Sequence, residues 1–134
     1  MKNPQKNALR WIRDAENTLR QGQMNCQMEA YNVACFLAEQ SAQKSLKAVR
    51  YLDGSRFIST HSVTELIREI SQTRPGFLPI RSQAAVLEQY YLTTRYPDAV
   101  AEPAIPSEIF TKGQAEEALR IARSIFEMCK SVMP

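Results

Sequence analysis

The chain has 134 residues, 44% of them hydrophobic and 23% charged, with a formal net charge of +3. That is about one domain's length, enough for a real core, with the composition of a soluble globular protein whose mild charge tolerates a polyanionic partner without demanding one. No apolar run approaches the roughly 18 residues that a membrane span requires, and three cysteines with no Cys-x-x-Cys pair beside one histidine argue against a zinc site or a disulfide framework.

The N-terminal stretch MKNPQKNALR is polar and lacks the apolar segment of a signal peptide, so a cytoplasmic location is expected, with Cys26, Cys35 and Cys129 reduced. The first helix is expected to start near Pro4, which suits the first helical position, and to run to about Gly22. Ala8, Ile12, Ala15 and Leu19 form its apolar stripe, with Leu9 and Trp11 on the flanks. A short polar link through Gln23 and Asn25 then leads into a second helix, which makes the two an antiparallel hairpin.

The second helix runs from Tyr31 to Gly54 and organises the rest. Ala30, Ala34, Ala38, Ser41, Ser45 and Ala48 fall on one narrow stripe, flanked by Val33, Leu37, Val49 and Leu52. Small residues let neighbouring helices approach closely, so this helix is expected to be central. Gln40, Lys44 and Lys47 lie on another face, with Gln43 and Arg50 farther round, giving a mainly basic polar side. Spacing alone favours a solvated face for these lysines. Gly54 supplies the positive-φ residue that commonly ends a helix.

After the loop SRFISTH, Ser62 followed by Glu65 is a capping-box pattern opening a third helix, with Val63, Leu66, Ile67 and Ile70 on its buried side. Arg74-Pro75-Gly76 stops it. A fourth helix is expected from Pro79 through Tyr96, burying Ile80, Ala84, Leu87 and Tyr91. Residues 97–110 hold three prolines and are expected to be mostly irregular. Thr111 and Gln114 form a second capping box before a last helix with Ala115, Ala118, Leu119, Ala122, Ile125, Phe126 and Cys129 at helical spacing. No segment alternates with period two, so the expected fold is a single all-α, up-and-down bundle of about five helices over residues 1–134.

Three groups of residues can carry chemistry. His61 is the only histidine, so any imidazole acid–base role falls on it, and it precedes a helix N-terminus that favours anions. The alternative is a structural histidine that caps the helix or bonds a neighbouring loop. Arg56 lies five positions before His61, and a ribonuclease uses such a couple, the imidazole moving the 2′-hydroxyl proton and the guanidinium stabilising phosphate. Tyr90-Tyr91 with Thr93-Thr94-Arg95-Tyr96-Pro97-Asp98 forms the third group: Arg95 can grip a phosphate, the tyrosines can stack on a base, and Asp98 can accept from a ribose. The plainer alternative is an Arg95–Asp98 ion pair that fixes the turn. There is no Gly-rich phosphate loop, no Gly-x-Ser-x-Gly, no His-Glu-x-x-His and no dense carboxylate cluster.

Taken together, these pieces resemble the HEPN domain, named for nucleotide binding in higher eukaryotes and prokaryotes. The resemblance is carried by Trp11 with Ala15-Glu16 and Leu19; by Ala38-Glu39-Gln40 with Lys44-Ser45-Leu46-Lys47-Ala48; by Thr60-His61-Ser62-Val63 with Leu66; by Tyr90-Tyr91 with Thr94-Arg95-Tyr96-Pro97-Asp98-Ala99; and by Pro106 through Ala115-Glu116-Glu117-Ala118. It implies a helical bundle that forms homodimers and is often encoded beside a minimal nucleotidyltransferase. In such pairs the HEPN protein can be a ribonuclease toxin and the nucleotidyltransferase its antitoxin. Ribonucleases of the family place an Arg, then four to six residues, then the catalytic His, near a later helix, with a Tyr two residues on. Arg56 and His61 instead lie before the third helix and lack that Tyr. The chain is closer to the branch with Thr-His and Arg-Tyr-Pro-Asp signatures, for which nucleotide or nucleic-acid binding is the commoner suggestion.

The expectation is therefore a homodimeric binding module for a nucleotide or RNA, paired with a minimal nucleotidyltransferase, without metal or cofactor. Its contacts would be Lys44, Lys47, His61, Arg95, Tyr96 and Asp98. A metal-independent ribonuclease toxin using Arg56 and His61 is the second reading, and a non-catalytic oligomeric scaffold the third.

Overall fold

The computed structural model describes residues 3–134; Met1 and Lys2, which begin the polar N-terminal stretch, lie outside the described residues. Helix α1 spans Pro4–Gln27. The Asn3 side chain accepts a hydrogen bond from the Lys6 amide at 3.1 Å, and Pro4 follows it where a missing donor costs nothing. Ala8, Ile12, Ala15 and Leu19 are buried, as their spacing predicts.

The helix does not stop at Gly22. It continues to Gln27, and the chain reverses over residues 28–30, where Glu29 takes a φ of 63°. Gly22 serves packing instead: a Cβ there would lie 2.9 Å from Leu119 Cδ2 and 3.4 Å from Leu37 Cβ. Gly22→Val is accordingly expected to destabilise the protein by about 1–3 kcal/mol, the usual cost of overpacking, read as a lower denaturation midpoint with unchanged m.

Helix α2, Tyr31–Leu52, lies at the centre, packed against α1, against the C-terminal helix and against the helix that follows it. Ala34, Ala38, Ser41, Ser45 and Ala48 are fully buried, and Ser41 Oγ donates to the Ala15 carbonyl at 2.8 Å, which fastens α2 to α1. Gly54, at φ 101°, turns the chain out of the helix.

Helix α3 covers Val63–Ser71, with Val63, Leu66, Ile67 and Ile70 all buried. Only half of the predicted capping box forms: Ser62 Oγ accepts from the Glu65 amide at 3.1 Å, whereas the Glu65 carboxylate pairs forward with Arg68. A 3-10 turn over Pro75–Ile80 precedes α4 (Arg81–Glu88) and the single turn α5 (Tyr90–Thr93). The continuous helix expected from Pro79 to Tyr96 is thus interrupted at Gln89. Thr93 and Thr94 hydroxyls donate to the carbonyls of Gln89 and Tyr90 at 2.5 and 2.7 Å, local bonds of the kind that bend and end helices. As a result Tyr90, at 2% exposure, takes the core position predicted for Tyr91.

Residues 97–110 are mostly irregular, with a 3-10 turn at Pro97–Ala99 and one helical turn, α6, at Pro106–Ile109. Helix α7 spans Lys112–Lys130 and opens with both halves of the Thr111–Gln114 capping box. Its predicted core residues are all buried, joined by Ile121. Five helices of eight residues or more therefore build an all-α bundle, with no strand among the described residues. No helix of the described residues is long and apolar enough to cross a membrane.

Candidate functional site

The polar side of α2 is not the solvated face that its spacing suggests. Gln43 and Lys47 are 3% and 9% exposed, and Glu39, beside them, is fully buried. The physical reason is tertiary: the loop before α3 and the segment from α4 to Tyr96 carry their own polar groups onto this side. Glu39 accepts hydrogen bonds from the Gln43 and Gln40 side chains at 2.6 and 2.8 Å. Burial still pushes its carboxyl up to about 7, an effect reinforced by nearby Glu88 and opposed by those two bonds and by the charge of Arg95. Burial also lowers the Lys47 ammonium from its ordinary value, and Glu39 opposes that shift. Lys44 points elsewhere, pairing with Asp14 at 2.9 Å and donating to Thr18 Oγ1 at 2.9 Å on α1.

His61 is exposed, immediately before the cap of α3. Ser62, not His61, makes that cap. Lys47 Nζ lies 3.4 Å from His61 Nδ1, and the imidazole stacks on the Tyr91 ring with centroids 6.1 Å apart and planes at 14°. The loop is anchored from α4. Glu88 accepts from the Ser62 and Thr64 hydroxyls and from the Thr64 amide at 3.1 Å. Burial alone would raise the Glu88 carboxyl, but these donors outweigh it and hold it below the usual carboxylate range.

Arg95 continues the line. Its guanidinium sits 4.5 Å from the Phe36 ring centroid and 5.0 Å from those of Tyr91 and Tyr96, and donates to the Tyr91 carbonyl through Nε at 3.0 Å and Nη2 at 2.5 Å. The Arg95–Asp98 pair considered from the sequence is not among the ion pairs of the described residues. Cation–π contact and the carbonyl fix the guanidinium while leaving its charge facing water. Tyr91 thus stands between an imidazole and a guanidinium.

Lys47, His61, Arg95 and Tyr96 are therefore brought together in one ridge. Lys44 faces α1, Asp98 lies exposed in the turn after Pro97, and Arg56 lines a different recess with Asn7, Tyr51 and Ser55. Sequence reasoning missed Glu39, Gln43 and Glu88 as parts of this region, and placed Tyr91 both on the buried face of its helix and among the aromatic residues that can stack on a base. The one signal available was the Glu39–Gln43 spacing of four, which permits the bond seen. Among the described residues no cluster of His, Cys, Asp and Glu is placed to hold a metal ion. Burial pushes the Cys35 thiol up to about 12 and the Cys129 thiol up as well, so neither offers a thiolate at neutral pH.

The fold and ridge define a class: a helical-bundle protein presenting alternating cationic and aromatic side chains beside a buried carboxylate. The HEPN domain matches residues 8–132, and the chain belongs to that family. The toxin candidate MJ1304 of Methanocaldococcus jannaschii is 26% identical over 96% of this chain and 89% of its own. The crystal structure of TT1696 from Thermus thermophilus superposes with a TM-score of 0.87 at 31% identity, covering 92% of this chain and 96% of that one. ST0689, an archaeal HEPN homologue, gives 0.78 at 29% identity over the whole of both chains.

Proposed function

We propose that this HEPN protein is a binding module for a nucleotide or RNA, gripping phosphate with Lys47, His61 and Arg95 and stacking a base on Tyr96. One observation carries the reading: Tyr91 neighbours both His61 and Arg95, residues 34 positions apart, so that the Thr-His and Arg-Tyr-Pro-Asp segments meet at one ring. Guanidinium and aromatic faces in alternation suit a phosphodiester carrying unstacked bases. Glu39 and Glu88 support the ridge from beneath and from the side.

Lys47 Nζ lies 3.4 Å from His61 Nδ1, so a cation and an exposed imidazole stand side by side where both can meet one phosphate. In this reading a homodimer and a minimal nucleotidyltransferase are the protein partners, and Asp98, exposed in the turn after Pro97, is a peripheral contact.

The test is a titration of fluorescein-labelled single-stranded RNA followed by anisotropy at low salt. Lys47→Ala with Arg95→Ala is expected to weaken binding by about ten-fold or more and to flatten the salt dependence by about 1.4 in log–log slope, the share of two cations. Unchanged affinity in the double variant would overturn the assignment.

A second reading, a metal-independent ribonuclease toxin, is favoured by the toxin candidate among the relatives and by the exposed imidazole beside a cation. Lys47 Nζ then stands 3.4 Å from His61 Nδ1. Incubation of total RNA with the protein in EDTA decides it: cleavage abolished by His61→Ala supports the ribonuclease, and intact RNA with folded protein leaves the binding module.

A further inference from the structure

A recess of about 480 Å³ lies between α1 and α2, within the size range of small-ligand sites. Arg10 and Arg13 of α1 line it with Asn7, Trp11 and Asn17, and the Asp14–Lys44 ion pair completes the lining. Three features set it apart from ordinary surface. First, Arg10 and Arg13 are exposed, one turn apart, and enter none of the ion pairs among the described residues, while the recess's own carboxylate is already taken by Lys44 at 2.9 Å. Together with Lys6, one turn earlier, they place three cations in the first three turns of a helix, against its dipole and against one another.

Second, Asn7 is 7% exposed, and its side-chain oxygen is buried with no hydrogen-bond partner. A buried polar atom left without a partner costs about 1–3 kcal/mol, so the α1 face that lines the recess keeps unused hydrogen-bonding capacity just beneath its surface. Third, the recess adjoins the ridge through Trp11. The Trp11 ring centroid is 6.0 Å from Lys47 Nζ, and that nitrogen is 3.4 Å from His61.

We infer that this recess is a second subsite for RNA, holding the backbone of a single strand that runs on from the His61–Arg95 ridge past Trp11 to Arg10 and Arg13. The inference rests on the binding reading above and deepens it: the ligand is a strand several nucleotides long rather than a mononucleotide. The arginines meet successive phosphates, and Trp11, whose ring packs on Tyr51 at 5.2 Å, stands between the two subsites.

Trp11 is the only tryptophan in the chain, so its emission reports on this boundary directly. The experiment titrates the full chain with an oligouridine of about ten nucleotides and, separately, with uridine monophosphate. It compares the wild type with Arg10→Ala/Arg13→Ala, Arg10→Lys/Arg13→Lys and Lys47→Ala/Arg95→Ala. Both arginines are exposed and alanine favours helix, so the first variant is expected to fold, as circular dichroism will show. The expected result is quenching of Trp11 by the oligomer, an affinity about ten-fold lower in Arg10→Ala/Arg13→Ala, most of it recovered in the lysine variant, and mononucleotide affinity unchanged by either.

Oligomer affinity unchanged in Arg10→Ala/Arg13→Ala but lost in Lys47→Ala/Arg95→Ala overturns the recess and leaves the ridge standing. The opposite pattern overturns the ridge and, with it, the continuous strand. Mononucleotide affinity falling as much as oligomer affinity makes the recess part of a single site and overturns a second one. Polyglutamate quenching Trp11 as well as the oligomer does marks a contact for acidic protein instead, and no oligomer binding by the wild type overturns both readings.

Discussion

Raising the pH from about 5 to about 8 is expected to cost this protein up to about 3 kcal/mol of stability through one side chain, and Glu39→Gln is expected to remove most of that dependence. In the unfolded chain the Glu39 carboxyl ionises near its ordinary 4.5, whereas burial holds it at about 7 in the folded protein. Between those values the folded state keeps a proton that the unfolded state has released, so stability falls as pH rises. The full contribution is present below about 4.5, declines through about 7 and is flat above it. At about 1.4 kcal/mol for each pH unit, the displacement amounts to about 3 kcal/mol. The groups facing this carboxyl are Gln40 and Gln43 as donors, Arg95 and Lys47 as cations, and Glu88 as a like charge. Urea unfolding at several pH values checks the expectation: the wild-type midpoint should drop toward alkaline pH and that of Glu39→Gln should stay nearly level. Parallel profiles would mean that Glu39 is ionised throughout and that its surroundings are more polar than the geometry indicates.

Glu88→Ala is expected to be the second large effect, lowering stability by about 2–3 kcal/mol. One carboxylate oxygen of Glu88 gathers two hydroxyls and a backbone amide from the first turn of α3 and its cap, and bonds to a charged acceptor contribute about 1.5–3 kcal/mol each before partial exposure and non-additivity reduce the sum. Removing it also leaves the Thr64 amide at the α3 N-terminus without an anionic partner. Because this carboxyl is held below its ordinary value, its contribution is present above about pH 4.5 and is lost on acidification, opposite in sign to that of Glu39. Chemical denaturation of Glu88→Ala at neutral pH measures the loss; a change under about 0.5 kcal/mol would show that the His61 loop is held by its backbone alone.

These two carboxylates show where sequence reasoning reached its limit. The bundle itself was legible, because Ala8, Ile12, Ala15 and Leu19 on α1, the small stripe on α2 and the seven core positions on α7 repeat at helical spacing, and each is buried where that spacing puts it, apart from Ala30 at the edge of α2. Helix ends were less so. Gly22 reads as a stop signal because glycine ends helices, yet here it admits Leu119 and Leu37. The interruption at Gln89 depends on threonine hydroxyls choosing carbonyls four residues back, which periodicity does not encode. Of the ridge, His61 and Arg95 stood out as residue types, but their shared contact with Tyr91 is a tertiary feature that spacing does not encode. Glu39 looked like one more polar residue on a solvated face. Its burial is a property of what packs on α2 and not of α2 itself.

The reading of the ridge as a phosphate-binding surface is tested most directly at His61, the chain's only histidine, whose imidazole Hε1 gives one isolated proton resonance. Titration with a short single-stranded RNA is expected to move that resonance progressively to saturation, with a midpoint equal to the dissociation constant measured by anisotropy, and Arg95→Ala is expected to shift the midpoint to higher RNA concentration. A His61 resonance that stays in place while RNA saturates the protein would contradict the account, because the bound strand would then lie away from the ridge that Lys47, His61, Tyr91 and Arg95 build.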